Sequence, residues 1–487
     1  RSNVTHAVGA PSRTCSVTPT PSTRHMFKKH LRLRSGEQLD RTIAEYDRAR
    51  TTLGKRRLRA VCYAPYLSMD FDATGAIRLC NHSHSEIGNV GRGDSVLEVW
   101  RGAVYQRYRE DFSKYILDER NCPHCVRQCQ AGSGHHVFAT EQFDRWANDD
   151  KRPAFPTRLI FRLNNTCNLA CVMCDGTTSS RIRKERDGLP TARSAYDDQF
   201  FREMEEILPH VEHIEFYGGE PFLVREHQRI FEILQRIGAT CSIYVNTNAT
   251  AINARARDAL ERLNFVEVAV SMDAVSQVVH GDVRRGIEND LFFRNFEYFL
   301  ELRARKGLKV MLNVTEHRKN WFELPGIFRF AEQHGVFLHI NTCIHPHNVT
   351  LYTLPDDQLR YVYTFLAEAR ANLLLEHPQL ANLPSYDFLL SLIRSELERR
   401  GPDWAPVLEN LNHQSDGLLA TPIAGVPPFD DPQRLLLEIR RMVRYLSNES
   451  AARMLLELRA GVRADPPGPG WSTVLAELDD RLATNPV

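Results

Sequence analysis

Six short apolar runs, each followed by a stretch of helical periodicity, occupy the middle of this 487-residue chain. The runs at 158–163, 213–217, 241–245, 266–270, 308–314 and 337–340 have the hydrophobicity of strands buried on both faces. Spaced apolar residues predict helices over 200–207, 227–237, 254–263, 289–306 and 321–334, and another over 356–374. Strand and helix in alternation demand a parallel sheet covered by crossover helices, so the fold class is α/β. Beyond it only helix-like stretches follow, near 386–399, 432–445 and 471–482, with the Pro/Gly-rich joint Pro466-Pro-Gly-Pro-Gly470 among them.

Ahead of the repeats lie a Ser/Thr/Pro/Arg-rich lead over 1–26, expected to be disordered, and a charged helical stretch over 27–60 with spaced Leu39, Ile43, Tyr46 and Leu53. Residues 66–71, the turn Asp72-Ala-Thr-Gly75 and residues 76–79 read as a β-hairpin with Cys62 and Cys80 at one end. Hydrophobic residues make up 42% and charged residues 25%, which excludes collagen-like and wholly disordered classes. Lys and Arg total 62 against 61 Asp and Glu, so the net charge of +1 gives no electrostatic reason to expect a nucleic-acid partner. No stretch reaches the ~20 apolar residues of a membrane span, and no secretory apolar core is seen, so the expected compartment is the cytoplasm.

In that reducing setting clustered cysteines point to metal rather than disulfides. Eight of the 11 cysteines form two groups: Cys62, Cys80, Cys122, Cys125 and Cys129, then Cys167, Cys171 and Cys174. Cys15, Cys241 and Cys343 stand alone; Cys241 reads as a small core residue, and Cys343 follows the sixth strand, where it either faces the barrel or packs. The second group, spaced x3 then x2, follows the first strand directly, at the strand end where α/β sheets place their ligands. Three thiolates suit an iron–sulfur cluster or zinc and fall one short of a closed four-ligand site.

The cysteine loop resembles the cluster loop of the radical S-adenosylmethionine (radical SAM) superfamily, with Met173 where many members carry an aromatic residue. The second strand ends in Gly218-Gly219-Glu220-Pro221, similar to the family's GGEP segment; the third ends in Asn246-Thr-Asn248 and the fourth in Ser271-Met-Asp273. The resemblance implies a [4Fe–4S] cluster on Cys167, Cys171 and Cys174, and S-adenosylmethionine bound through Gly218, Gly219, Glu220, Asn246, Asn248 and Ser271. The stretch 280–285 also resembles the segment that follows this strand in the family, which implies an arginine for the cofactor's carboxylate, with Arg284, Arg285 and Arg294 left as alternatives. It implies a partial (β/α)6 TIM-like barrel over 155–350, an external one-electron donor of flavodoxin or ferredoxin type, and hydrogen abstraction from a substrate. The first guess at that substrate is a ribosomally made peptide, with a small molecule as the alternative.

The upstream hairpin, then Ile87-Gly88-Asn89-Val90, Leu97-Glu-Val-Trp100 and a CxxC, resembles the SPASM or twitch module of the same superfamily, here N-terminal to the barrel instead of after it. It implies a small hairpin-and-helix module over 61–150 holding one auxiliary [4Fe–4S] cluster, on Cys62, Cys80, Cys122 and Cys125 with Cys129 in reserve. Zinc stays open for this group, given His82, His84 and His124. Residues 351–487 are expected to form a helical extension. Two competing functions stand beside the enzyme: a non-catalytic zinc-binding module and an iron–sulfur electron-transfer protein.

Overall fold

The computed structural model describes residues 43–48, 50, 57–117, 122–130, 142–400, 476 and 479. The lead, most of the charged stretch before residue 57, and the helices expected near 432–445 and 471–482 lie outside the described residues. The chain divides into two units, one of residues 1–63, 82–84 and 109–150 and one of 64–81, 85–108 and 151–487.

The second unit is built on a nine-stranded sheet. Its strands are β1 (Ser68–Phe71), β2 (Ala76–Arg78), β3 (Gly88–Asn89), β4 (Arg158–Phe161), β6 (His213–Phe216), β7 (Ser242–Thr247), β8 (Phe265–Ser271), β10 (Lys309–Glu316) and β11 (Phe337–Thr342). Two further short strands, β5 (Ala170–Cys171) and β9 (Arg284–Arg285), pair only with each other. The order β11-β10-β8-β7-β6-β4-β1-β2-β3 places the six core strands side by side in chain order, all parallel. With helices Asp198–Ile207, Arg225–Arg236, Ala254–Arg262, Asn289–Lys306 and Leu324–His334 between them, this is the expected partial (β/α)6 barrel. The helix expected from residue 321 starts at Leu324, with a proline in its first turn, where the missing N–H costs nothing.

The hairpin does more than its sequence suggests. Its first strand pairs in parallel with β4, Ser68 opposite Arg158 and Phe71 opposite Phe161, and so extends the barrel sheet by three strands. Parallel pairing here joins residues 90 apart in the chain, and what holds it is packing. The tilted rings of Phe71 and Phe161 lie 5.6 Å apart, those of Phe161 and Phe216 also 5.6 Å, and Phe71 meets Phe200 of the first barrel helix edge-on at 5.6 Å, so one aromatic row crosses β1, β4 and β6 under the helices. Trp100, fully buried, donates from its indole to Pro153 O at 2.8 Å. Glu203 accepts from the Val96 and Leu97 amides at the start of helix Val96–Arg101, a carboxylate at a helix N-terminus.

At the other edge, Asn382 Oδ1 accepts the Leu338 amide of β11 at 2.7 Å. This closes an otherwise open sheet edge, and helices Asp356–Glu376 and Leu383–Arg400 pack beyond it, with Phe328 and Tyr386 rings 4.4 Å apart. The C-terminal region is therefore helical as far as residue 400.

The first unit is held by Arg50, which is buried and donates to Asp144 (Nε–Oδ2 2.6 Å) and to Ala60 O at 2.8 Å. Asp149 Oδ1 accepts the Arg57 and Leu58 amides. Helix Pro123–Gln130 opens with proline directly after Cys122, so Cys122 and Cys125 lie one turn apart.

Candidate active site

The cysteine loop leaves β4 and is folded by its own side chains. Asn164 Oδ1 accepts from the Thr166 amide at 3.1 Å, Asn165 donates to Gly176 O at 2.9 Å, and Asp175 Oδ1 accepts from the Thr177 and Thr178 amides. Ser180 Oγ meets both the amide and the carbonyl of Cys167. The middle of the loop is strand β5, paired antiparallel with β9, so that Cys171 stands opposite Arg284. That two-residue pairing ties the loop to the segment beyond β8.

The three thiols differ. The Cys171 thiol is hydrogen-bonded to Cys174, which draws the Cys174 pKa down to about 7, with the Arg284 cation adding to the effect, while Cys171 itself is pushed up. Burial pushes Cys167 up to about 11. Arg284 is buried, donates from Nη1 to Cys171 Sγ at 3.9 Å and pairs through Nη2 with Asp273 Oδ2 at 2.7 Å. Arg285 and Arg294 are exposed. Among the described residues no three His, Cys, Asp or Glu side chains converge on a point that would hold a single metal ion. A cluster asks for something else, because each of its cysteines holds a separate iron.

The GGEP turn lies against this loop. Gly218 and Gly219 have φ of +75° and +52°, and a Cβ on Gly219 would stand 2.3 Å from Thr166 O. Only glycine fits both the conformation and the approach. Glu220 is 0% exposed. Its amide donates to Thr166 O at 2.8 Å, Oε1 accepts from Thr247 Oγ1 at 2.7 Å, and Oε2 accepts the Asn248 amide at 2.7 Å. Burial lifts its pKa to about 7 against those donors. The carboxylate thus locks the second strand end to the third, and the glycine backbone is left facing the cradle.

Asn248 completes the junction. Its Nδ2 reaches Cys167 Sγ at 3.9 Å and Asn168 Oδ1 at 3.0 Å, while Oδ1 accepts from Thr250 N at 2.9 Å. The next residue, Ala249, holds φ +58°, fixed by Thr247 Oγ1 on its amide and Asn295 on its carbonyl.

Further along the open face, Ser271 Oγ donates to Asn246 Oδ1 at 3.1 Å, Ser271 lies opposite Asn313 in register, and Asn341 Nδ2 donates to Asn313 Oδ1. All four are half-buried. An uncharged polar row therefore crosses β7, β8, β10 and β11. Met311, Phe337 (52% exposed) and His339 alternate on the same face. Toward β1, β4 and β6 the same face is charged and closed, with Arg158 on Glu215 and Arg162 on Asp70.

Residues 162–324 match the Radical SAM superfamily. That match spans about a third of the chain. Residues 62–130 match SPASM, an iron–sulfur cluster-binding domain, which lies N-terminal to the radical SAM domain. Among relatives, GTP 3',8-cyclase of Clostridium botulinum is 24% identical over 148 residues, 30% of this chain and 44% of that protein. Fe-coproporphyrin III synthase of Methanosarcina barkeri is 24% identical over 189 residues, 38% of this chain and 43% of that one. Mycofactocin maturase MftC of Mycobacterium tuberculosis is 25% identical over 207 residues, 41% and 46%. The chain spans less than half the length of these curated relatives. The solved structure of Streptococcus suis SuiB aligns over 60% of this chain and 65% of its own with 13% identity and a TM-score of 0.31, too low to carry an argument.

A radical SAM domain marks an enzyme and implies a [4Fe–4S] cluster and S-adenosylmethionine; the SPASM domain implies an auxiliary cluster. The residues present fit these groups: three thiols on one loop beside a cation, and a glycine cradle that a single Cβ would fill. Upstream, Cys62, Cys122 and Cys125 are buried in the first unit, and Cys80 is buried in the second. Cys129 lies on the described helix, but its side chain is outside the described residues. The His82 and His124 rings stack at 4.8 Å. The nine cysteines whose side chains are described all stand as thiols, in no disulfide. Cys241 is buried, as expected of a core residue, and Cys343 is also buried, its thiol donating to His345 O at 3.4 Å. Asn168 and Thr250 join the site without having been singled out by any motif of their own.

Proposed function

We propose that the chain binds S-adenosylmethionine against Gly218 and Gly219, with Cys167, Cys171 and Cys174 holding the catalytic cluster and Cys62, Cys80, Cys122 and Cys125 the auxiliary one. When bound, the cluster and S-adenosylmethionine would together supply one-electron chemistry able to remove a hydrogen atom from a substrate. The chain's own work is placement. Asn248 carries the reading: it touches Cys167 while its amide is held by Glu220, so loop, GGEP turn and third strand end meet at one residue. Arg284 offsets thiolate charge, and Asn246 and Ser271 present an amide and a hydroxyl, respectively, to the cofactor.

For substrate, a ribosomally made peptide fits best. The row from Asn246 to Asn341 offers paired amide and hydroxyl groups, uncharged and half-exposed, which complement peptide N–H and C=O groups.

The test is anaerobic reconstitution with iron and sulfide, then reduction with S-adenosylmethionine present. Formation of 5′-deoxyadenosine is expected. Redox-active iron without that product favours an electron carrier, and two zinc ions without iron favour a structural metal protein.

A further inference from the structure

The cysteine loop runs into helix Ser180–Glu185, and hydrogen bonds stitch the junction. Ser179 Oγ donates to Leu169 O at 2.6 Å, the Ser180 amide to Asn165 O at 2.7 Å, and Arg181 Nη1 to Asn168 O at 3.0 Å. Just past the helix, Arg186 returns to the loop, its Nη1 donating to Cys174 O at 3.3 Å. Arg186 is exposed and Cys174 half-buried, so on this side one side chain separates a cluster cysteine from solvent. All of these residues belong to the second unit.

The same stretch is basic. Within 180–187, Arg181, Arg183, Lys184 and Arg186 are cations, against the two carboxylates of Glu185 and Asp187. Glu185 takes Arg181 at 3.0 Å and Asp187 takes Arg186 at 2.8 Å. Arg183 donates to Pro190 O at 2.6 Å, and neither it nor the exposed Lys184 has a carboxylate partner among the described residues. The chain then turns at Gly188, φ +63°, into Leu189, whose amide donates to Arg183 O at 2.9 Å and which is 47% exposed. An exposed apolar residue beside unneutralised cations, on a turn fixed by its own hydrogen bonds, has the make-up of a small interface.

Resting on the function proposed above, we infer that the face formed by Arg183, Lys184, Arg186 and Leu189 is the landing site of a small acidic one-electron carrier protein of ferredoxin type. The proposed chemistry needs an electron from outside the cysteine loop, and this face is the charged surface bonded directly to that loop. The whole chain carries a net charge of only +1, so attraction of an acidic partner has to be local. Electron-transfer encounters bury less than about 1,200 Å², which one helix and its turn can supply. A carrier seated there stands about one helix diameter, ~10 Å, from the cysteine loop. One electron passes: the reduced carrier is oxidised and the cluster reduced, and no bond or proton moves.

Two readouts decide it, calorimetric binding of an acidic plant-type [2Fe–2S] ferredoxin to the reconstituted full chain and the stopped-flow rate at which the chain oxidises reduced ferredoxin. Arg183→Glu combined with Lys184→Glu should weaken binding and slow oxidation at least about tenfold at ~20 mM salt, a difference that shrinks below about twofold at ~0.5 M. Lys184→Glu alone, at a side chain that holds no part of the fold, should act in the same direction. Arg262→Glu, whose side chain is 70% exposed on helix Ala254–Arg262, should change neither readout. With reduced methyl viologen in place of ferredoxin, all variants should make 5′-deoxyadenosine at the wild-type rate. Equal ferredoxin binding by wild type and double variant, a loss that salt does not abolish, or no binding by the wild type overturns the inference alone. A wild-type chain that holds no cluster on Cys167, Cys171 and Cys174, or that makes no product with viologen, overturns the functional reading and this inference with it.

Discussion

Arg284 and Asp273 form an ion pair 2.7 Å apart at the inner end of the site, both buried, with the arginine's other nitrogen on Cys171. Two segments meet there, the β8 strand end that carries Asp273 and the short β9 that pairs with the cysteine loop. Asp273 is also anchored by the Thr315 amide at 2.8 Å.

Breaking that pair leaves a buried carboxylate without its cation, which costs about 3 kcal/mol or more. Arg284→Met should lower chemical-denaturation stability by that amount and reduce 5′-deoxyadenosine formation at least tenfold. Arg285→Met, at an exposed neighbour, should change both by less than twofold or about 0.5 kcal/mol. Equal effects of the two variants would remove Arg284 from the site.

Gly219 tests the cradle. Gly219→Ala drives a methyl to 2.3 Å from Thr166 O at φ +52°, so the loop or the turn must shift. Cofactor affinity, read by the spectral change on adding S-adenosylmethionine, should fall at least tenfold. Gly188 also has positive φ, +63°, but open space around it, and Gly188→Ala should cost only about 1 kcal/mol and leave affinity unchanged.

Glu316 gives a pH signature. It is fully buried at the end of β10, accepts the Cys343 amide at 2.9 Å and the Tyr352 hydroxyl at 3.0 Å, and burial lifts its pKa to about 8. A carboxyl raised on folding keeps its proton in the native state and loses it in the unfolded one, so its contribution is complete below about pH 4.5 and lost as pH rises through 8. Above about pH 6.5 the buried histidines His227, His280 and His317, each lowered to about 3, no longer oppose this trend. Glu220, raised to about 7, acts in the same direction as Glu316. Stability should therefore fall between pH 6.5 and 8, and Glu316→Gln should flatten that fall by about 2 kcal/mol in denaturation curves. An unchanged slope would place an ionised carboxylate there.

The six core strands are legible in the chain as apolar runs set between helical stretches, although only β4 and β6 are buried on both faces while β7, β10 and β11 alternate buried with part-exposed residues; the helix over Asn289–Lys306 shows its ends through spaced aromatics and Gly307. The cysteine loop and GGEP turn are legible because their spacing is local. The hairpin's place in the barrel sheet is not, since Asp70 and Phe71 find β4 only through packing between distant segments. Nor does the sequence separate Arg284 from Arg285: two-residue strands leave no periodicity, and only the pairing with Cys171 turns one inward. Glu220 reads as a ligand by its motif, while its burial against Thr247 and Asn248 shows a carboxylate that ties two strand ends together.

The most direct measurement compares the wild type with a Cys167→Ala, Cys171→Ala, Cys174→Ala variant, both reconstituted anaerobically and assayed for iron, sulfide and 5′-deoxyadenosine under reduction. The account predicts two clusters and the nucleoside product in the wild type, and in the variant about four iron on the upstream cysteines with no product. Zinc in place of iron, or equal 5′-deoxyadenosine from both proteins, would contradict it.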